Sequence, residues 1–189
     1  MKKIFLPLLL AALSLAACNS NDKKEKKPAP TELDKIVEDH TGLDAGKGTY
    51  TITGPEGWQK IDTMMSGVHF TFIKSPMDGK SDKFQENLNV TTESAKGYQL
   101  DSYVESNERS LKAQMSDLDI VDRGDMKIGD LPAKWIIYKM NYSGFDIKNT
   151  AYFIVKNDIG YVITTTALAS TFDKYDQQFK SIVNTFSIQ

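Results

Sequence analysis

The chain has 189 residues, of which 25% are charged, with a formal net charge of −2 and a single cysteine, Cys18. One cysteine excludes a disulfide-stapled scaffold, so stability has to come from packing. A slightly acidic balance excludes the phosphate-neutralising surface on which nucleic-acid binding depends, and no nucleic-acid partner is expected.

In chain order, Lys2 and Lys3 form a basic head before an apolar run from Ile4 to Ala16 that only Pro7 and Ser14 interrupt. A transmembrane helix needs about 20 apolar residues, so this run is too short to span and reads as the apolar region of a secretory signal. It ends in Leu15-Ala16-Ala17-Cys18, which looks like a lipobox: small residues fit the peptidase groove, and the thiol accepts a diacylglyceryl group. The expected cut lies between Ala17 and Cys18, and the expected anchor is acyl lipid (the palmitate class) on Cys18. Thioether linkage would also remove the only free thiol of an exported chain. Each buried methylene contributes about 0.8 kcal/mol, so two or three acyl chains give stable anchoring where one is marginal. The expected location is the bacterial cell envelope, with the domain outside the cytoplasm. Asn19 stands where some inner-membrane lipoproteins carry Asp, which favours the outer membrane in a host that has one.

Three regions follow: a signal peptide from Met1 to Ala17, a tether from Cys18 to Pro30, and one globular domain from Thr31 to Gln189. The tether carries Lys23, Lys24, Lys26 and Lys27 against Asp22 and Glu25, then Pro28 and Pro30, with no large apolar residue to seed a core. Its surplus of two positive charges is expected to be solvated. With those charges and Lys2 and Lys3 set aside, the domain holds 17 basic and 23 acidic residues. A domain of about 160 residues buries roughly 68–70% of its unfolded surface, enough for one core.

Within the domain, Thr31 to His40 predicts a short helix with Leu33, Ile36 and Val37 on one face, ended by Gly42, Gly46 and Gly48. Thr49 to Thr53 predicts a strand. Gly54-Pro55-Glu56-Gly57 is turn chemistry, and Trp58 begins another extended piece. Val68 to Ile73 and Asn87 to Thr92 alternate as strands, the second with Leu88 and Val90 inward. A helix is predicted from about Ser102 to Met115, with Leu100, Tyr103, Val104, Leu111 and Met115 on one stripe and Ser102–Glu105 as its capping box, Asp101 being the rival cap. Four strands should follow at Asp119–Ile128, Ala133–Tyr142, Phe145–Val155 and Gly160–Leu168. Gly129-Asp130-Leu131-Pro132, Ser143-Gly144 and Asn157-Asp158 would turn between them, making the neighbours antiparallel. Trp135-Ile136-Ile137-Tyr138 and Tyr152-Phe153-Ile154-Val155 are apolar on both faces, as central strands covered on both sides are. A last helix is expected from Thr171 to Asn184. Phe172, Tyr175, Phe179, Ile182, Val183 and Phe186 form its stripe, and Ser170 with Asp173 its cap. These elements sum to an α+β domain, an antiparallel sheet with helices packed on its faces.

Candidate chemistry is thin. Nucleophilic catalysis needs a thiol or hydroxyl beside a base, but the only thiol is the anchor, and the histidines are His40, in the lead-in, and His69, in a strand. Two histidines without cysteine do not make a zinc site. Asp117, Asp119, Asp122 and Asp125 lack the glycine and terminal Glu of a calcium loop and read as a solvated helix–strand junction. Gly42 to Thr49 is one residue short of a phosphate loop and has Gly48 where Ser or Thr should hold magnesium. No catalytic residue, metal ligand or cofactor is expected.

The ordered set Pro55-Glu56-Gly57-Trp58, Glu86-Asn87-Leu88-Asn89-Val90, Leu131-Pro132-Ala133 and Ile182-Val183-Asn184-Thr185-Phe186 resembles the PsbP-like superfamily, which includes many bacterial lipoproteins; the DcrB-like envelope lipoproteins are similar. The resemblance spans roughly Thr49 to Ile188. It implies an α/β/α sandwich on an antiparallel sheet and no single function, because the fold hosts several; a photosystem role is not carried over. Three functions compete. The first is a non-catalytic envelope module binding a partner protein or a ligand. The second is a carrier of an apolar small molecule or lipid, with the adaptable pair Met64-Met65 as the feature to watch. The third is an envelope hydrolase, for which His69 is the sole histidine candidate in the predicted core.

Overall fold

The computed structural model describes residues 50–65, 68–77, 79, 82–115 and 117–189, without the side chains of 64, 65, 68 and 69. Ala17, Cys18, the tether, the predicted first helix, His40 and the glycine-rich stretch from Gly42 to Gly48 lie outside the described residues.

The core is a seven-stranded antiparallel sheet. Its strands are β2 (Gln59–Met65), β3 (Val68–Lys74), β4 (Asn87–Ser94), β5 (Asp119–Ile128), β6 (Leu131–Tyr142), β7 (Phe145–Lys156) and β8 (Ile159–Leu168), in the order β2-β3-β4-β8-β7-β6-β5. Helix α1 (Leu100–Gln114) covers one face and α2 (Phe172–Val183) the other. The first strand, β1 (Tyr50–Thr51), does not join this sheet: it pairs antiparallel with β9 (Ser187–Ile188), Tyr50 opposite Ile188.

Strand alternation sorts the side chains into two cores. On the α2 face, Ile73, Leu88, Val90, Ile154, Tyr161 and Ile163 meet Phe172, Tyr175, Phe179, Ile182 and Val183. On the α1 face, Ile136, Tyr138, Met140, Ile147, Phe153 and Val162 meet Tyr103, Val104 and Leu111. Both faces of β7 and β8 are therefore buried, and Tyr152-Phe153-Ile154-Val155 is the doubly covered strand its composition predicts. The structure is the predicted α/β/α sandwich.

Turns set the register. Ser143 (φ 51°) and Gly144 (φ 85°) join β6 to β7 with Tyr142 opposite Phe145, and Asn157 (φ 54°) and Asp158 (φ 61°) join β7 to β8. Positive φ at both central residues matches the right-handed strand twist in two-residue hairpins. The β5–β6 turn is only Gly129-Asp130, because Leu131 and Pro132 already pair with Ile128 and Lys127. Pro132 is tolerated there because β6 pairs with β7 only from Lys134 onward.

Both predicted helix caps differ from the observed ones. Helix α1 begins earlier than expected, with Gln99 at the cap. Ser102 is its third helical residue, accepting from the Gln99 N–H at 3.2 Å. At α2 neither Ser170 nor Asp173 caps; Thr171 holds the position, and its hydroxyl donates to buried Glu86 at 2.7 Å. A tertiary contact to the residue just before β4 outcompetes the local one.

Candidate functional site

The site begins with an overpredicted core. The run Trp135-Ile136-Ile137-Tyr138 is apolar on both faces, yet β6 is the second strand from an edge. Ile136 and Tyr138 are fully buried under α1, whereas Trp135 and Ile137, facing the α2 side, remain half-buried. The reason lies in α2. Its aromatic stripe packs over the middle of the sheet, and Trp58 fixes it from the far side, 6.2 Å from the Tyr175 ring and 5.9 Å from that of Phe179. One helix about 10 Å wide cannot cover seven strands about 4.8 Å apart, so the β5–β6 margin stays open.

The margin forms a groove of about 340 Å³ between α2 and strands β5, β6 and β7. Met126, Trp135, Ile137, Thr150 and Tyr152 form its floor; Asp176, Lys180, Val183 and Asn184 form its wall. Gly124 seats Trp135: a Cβ on Gly124 would lie 2.7 Å from the indole ring, so only glycine lets the indole lie across the edge strand. On the wall, Lys180 donates to Asp176 at 2.7 Å. At the bottom, Tyr152 is 3% exposed, and burial, then the nearby Asp176 carboxylate, push its phenol up to about 12. The Tyr152 hydroxyl is thus neutral at any physiological pH, and neither it nor the Thr150 hydroxyl has a hydrogen-bond partner among the described residues. An apolar concavity with a few convergent polar groups is the ordinary form of a small-molecule site.

A second cleft of about 450 Å³ opens on the α1 face of the same strands. Its charges satisfy one another: Lys134 bonds Asp101 at 2.7 Å and Asp125 at 2.5 Å, and Arg123 bonds Glu108 at 3.3 Å. The hydrogen bonds it donates to Asp101 and Asp125 hold the Lys134 ammonium above its ordinary value. Such a lattice of ion pairs offers a ligand less than the groove does.

The residues weighed from sequence fall elsewhere. His69 pairs opposite Met64 in the β2–β3 hairpin, far along the sheet order from the groove, and the side chains of His69, Met64 and Met65 lie outside the described ones. The aspartates do not converge. Asp117 accepts from the Asn141 N–H, Asp122 from that of Arg123, and Asp125 holds Lys134; among the described residues no His, Cys or carboxylate group is arranged to hold a metal. By local pattern Trp135 and Tyr152 are core residues, and nothing in the sequence connects them with Asp176 or Lys180. The available signal was the contrast between a doubly apolar β6 and a polar β5 beside it.

The architecture recurs in solved structures. LpqN, involved in cell envelope biogenesis of Mycobacterium tuberculosis, is similar to this chain at a TM-score of 0.62 and 13% identity, covering 86% of this chain and 99% of its own. PA94, a protein of unknown function from Pseudomonas aeruginosa, is similar at a TM-score of 0.57 and 16% identity, over 75% of this chain and 99% of its own. Cyanobacterial PsbP from Synechocystis is also among the structural neighbours, at a TM-score of 0.48 and 14% identity, over 76% of this chain and 99% of its own. No family model and no curated protein sequence matches the chain. The shared fold rests on the first two structures.

Proposed function

We propose that the chain is a lipid-anchored envelope lipoprotein whose folded domain binds a small apolar ligand, without transforming it, in the groove beside α2. The observation that carries this reading is the groove itself: an apolar floor left open at the margin of the sheet, with the Tyr152 and Thr150 hydroxyls in it. A phenol held near 12 is a hydrogen-bonding group and not a base at neutral pH, which favours binding over catalysis. The lipobox-like Leu15-Ala16-Ala17-Cys18 supports the envelope location, and so does the architecture shared with LpqN, a protein involved in cell envelope biogenesis.

Two measurements test it. Native mass spectrometry of the full chain extracted from membranes should find a non-covalent adduct beyond the acyl groups; only the acylated chain would count against a carried ligand. Filling the groove with Val183→Trp should abolish the adduct.

A partner protein is the second reading. Among the described residues strand β5 pairs only with β6, and Val121, beside the register shift between Ile120 and Asp122, is 42% exposed on that edge. An added strand would find backbone groups there, although the shift and the aspartates on β5 discourage indiscriminate pairing.

A further inference from the structure

We infer that the groove selects small uncharged molecules carrying a carbonyl or ether oxygen on an apolar body. The inference deepens the ligand-binding reading and rests on it. Size comes first: about 340 Å³ lies near the lower end of small-molecule sites, about 300–1,000 Å³, so the groove takes a compact two-ring or short-chain body and not an extended polymer. The body must be apolar because Met126, Trp135, Ile137 and Val183 are among the residues that line the groove and its surface is mainly apolar.

Charge is decided by the wall. Asp176 and Lys180 neutralise each other at 2.7 Å, so a charged ligand would be desolvated without a free counterion or would have to break that pair. The polar complement is decided by the floor. The Tyr152 phenol is neutral, an indole N–H such as that of Trp135 can only donate, and the Thr150 hydroxyl is 4% exposed by residue and has no hydrogen-bond partner among the described residues. The two hydroxyls can donate or accept and the indole N–H can only donate, so an acceptor oxygen is the one complement that suits all three. A hydrocarbon of the same shape would leave these groove-facing hydroxyls unpaired once water is expelled, and that mismatch discriminates against it.

Photolabelling tests this on the full membrane-anchored chain. Benzophenone is itself an uncharged aromatic ketone that inserts into neighbouring C–H bonds on irradiation, and labelled positions are read by peptide mass spectrometry. The expected result is label concentrated on Met126, Ile137 and Val183. N-benzoylpiperidine should compete for it more strongly than benzylcyclohexane, which has a similar two-ring skeleton without the carbonyl. Tyr152→Phe removes one oxygen, and it should weaken N-benzoylpiperidine by about three- to tenfold while leaving benzylcyclohexane unchanged. An unchanged melting temperature establishes that this variant is folded, and Thr150→Val, of matching shape, provides an independent second variant. Groove labelling competed equally by both compounds and indifferent to both variants would overturn the carbonyl selection while leaving the groove a ligand site. Label scattered over the surface, or persisting in Val183→Trp, would overturn the ligand-binding reading as well.

Discussion

Gly160, Tyr103 and Glu93 illustrate how single residues are constrained by partners far away in sequence. Gly160 lies opposite Glu93 in the β4–β8 pairing, and a Cβ on it would collide with the Tyr103 hydroxyl. That vacancy lets Tyr103 reach from α1 over β8 and donate to Glu93 at 2.6 Å. Gly160→Ala should therefore lift α1 off the sheet locally and cost about 1–3 kcal/mol, read as a lowered denaturation midpoint. Burial raises the Glu93 carboxyl above its ordinary 4.5, with the Tyr103 and Asn107 hydrogen bonds opposing the shift. The folded chain therefore holds this proton more tightly than the unfolded one. The resulting stabilisation is complete below 4.5 and disappears as pH rises through the raised value. Urea midpoints from about pH 4 to pH 8 should fall more steeply for the natural chain than for Glu93→Gln; parallel curves would contradict the assignment.

At the level of elements, the hairpin turns and the α2 stripe are where local chemistry and tertiary structure agree. Ser143 occupies a left-handed backbone position at φ 51° that asparagine tolerates better than serine. Ser143→Asn should thus raise stability by about 0.5 kcal/mol or more, measurable by thermal melting. Phe179, 1% exposed, packs against Trp58 and Tyr175 at the centre of α2; Phe179→Ala should cost about 3–5 kcal/mol, read as a lowered melting temperature. Strand and helix positions were legible because alternation and the three-to-four spacing of apolar residues are local properties. The caps were not. Thr171 turns to Glu86, 85 positions away, and no local pattern announces that pairing.

For the whole molecule, the described residues place one helix on each face of a sheet too wide for it, and the groove is what those two helices leave uncovered. Attachment is a separate matter, and the proposed lipid on Cys18 would control it. Among the described residues no helix is long and apolar enough to cross a membrane. Cys18→Ser should accordingly move the protein from the membrane fraction to the soluble one, as followed by fractionation, while the domain keeps its melting behaviour.

The amino-acid order alone determined the α+β class, the antiparallel hairpins from Asp119 to Leu168 and the two apolar helix stripes, because each depends on neighbours within a few positions. It also carries the expectation of lipid on Cys18. Only the tertiary structure decided that β1 leaves the main sheet for β9, that β6 lies one strand in from an edge, and that Trp135, Tyr152, Asp176 and Lys180 share a groove. Those outcomes depend on strand order and on how far a single helix reaches across a twisted sheet, and neither distance is written in any local run of residues.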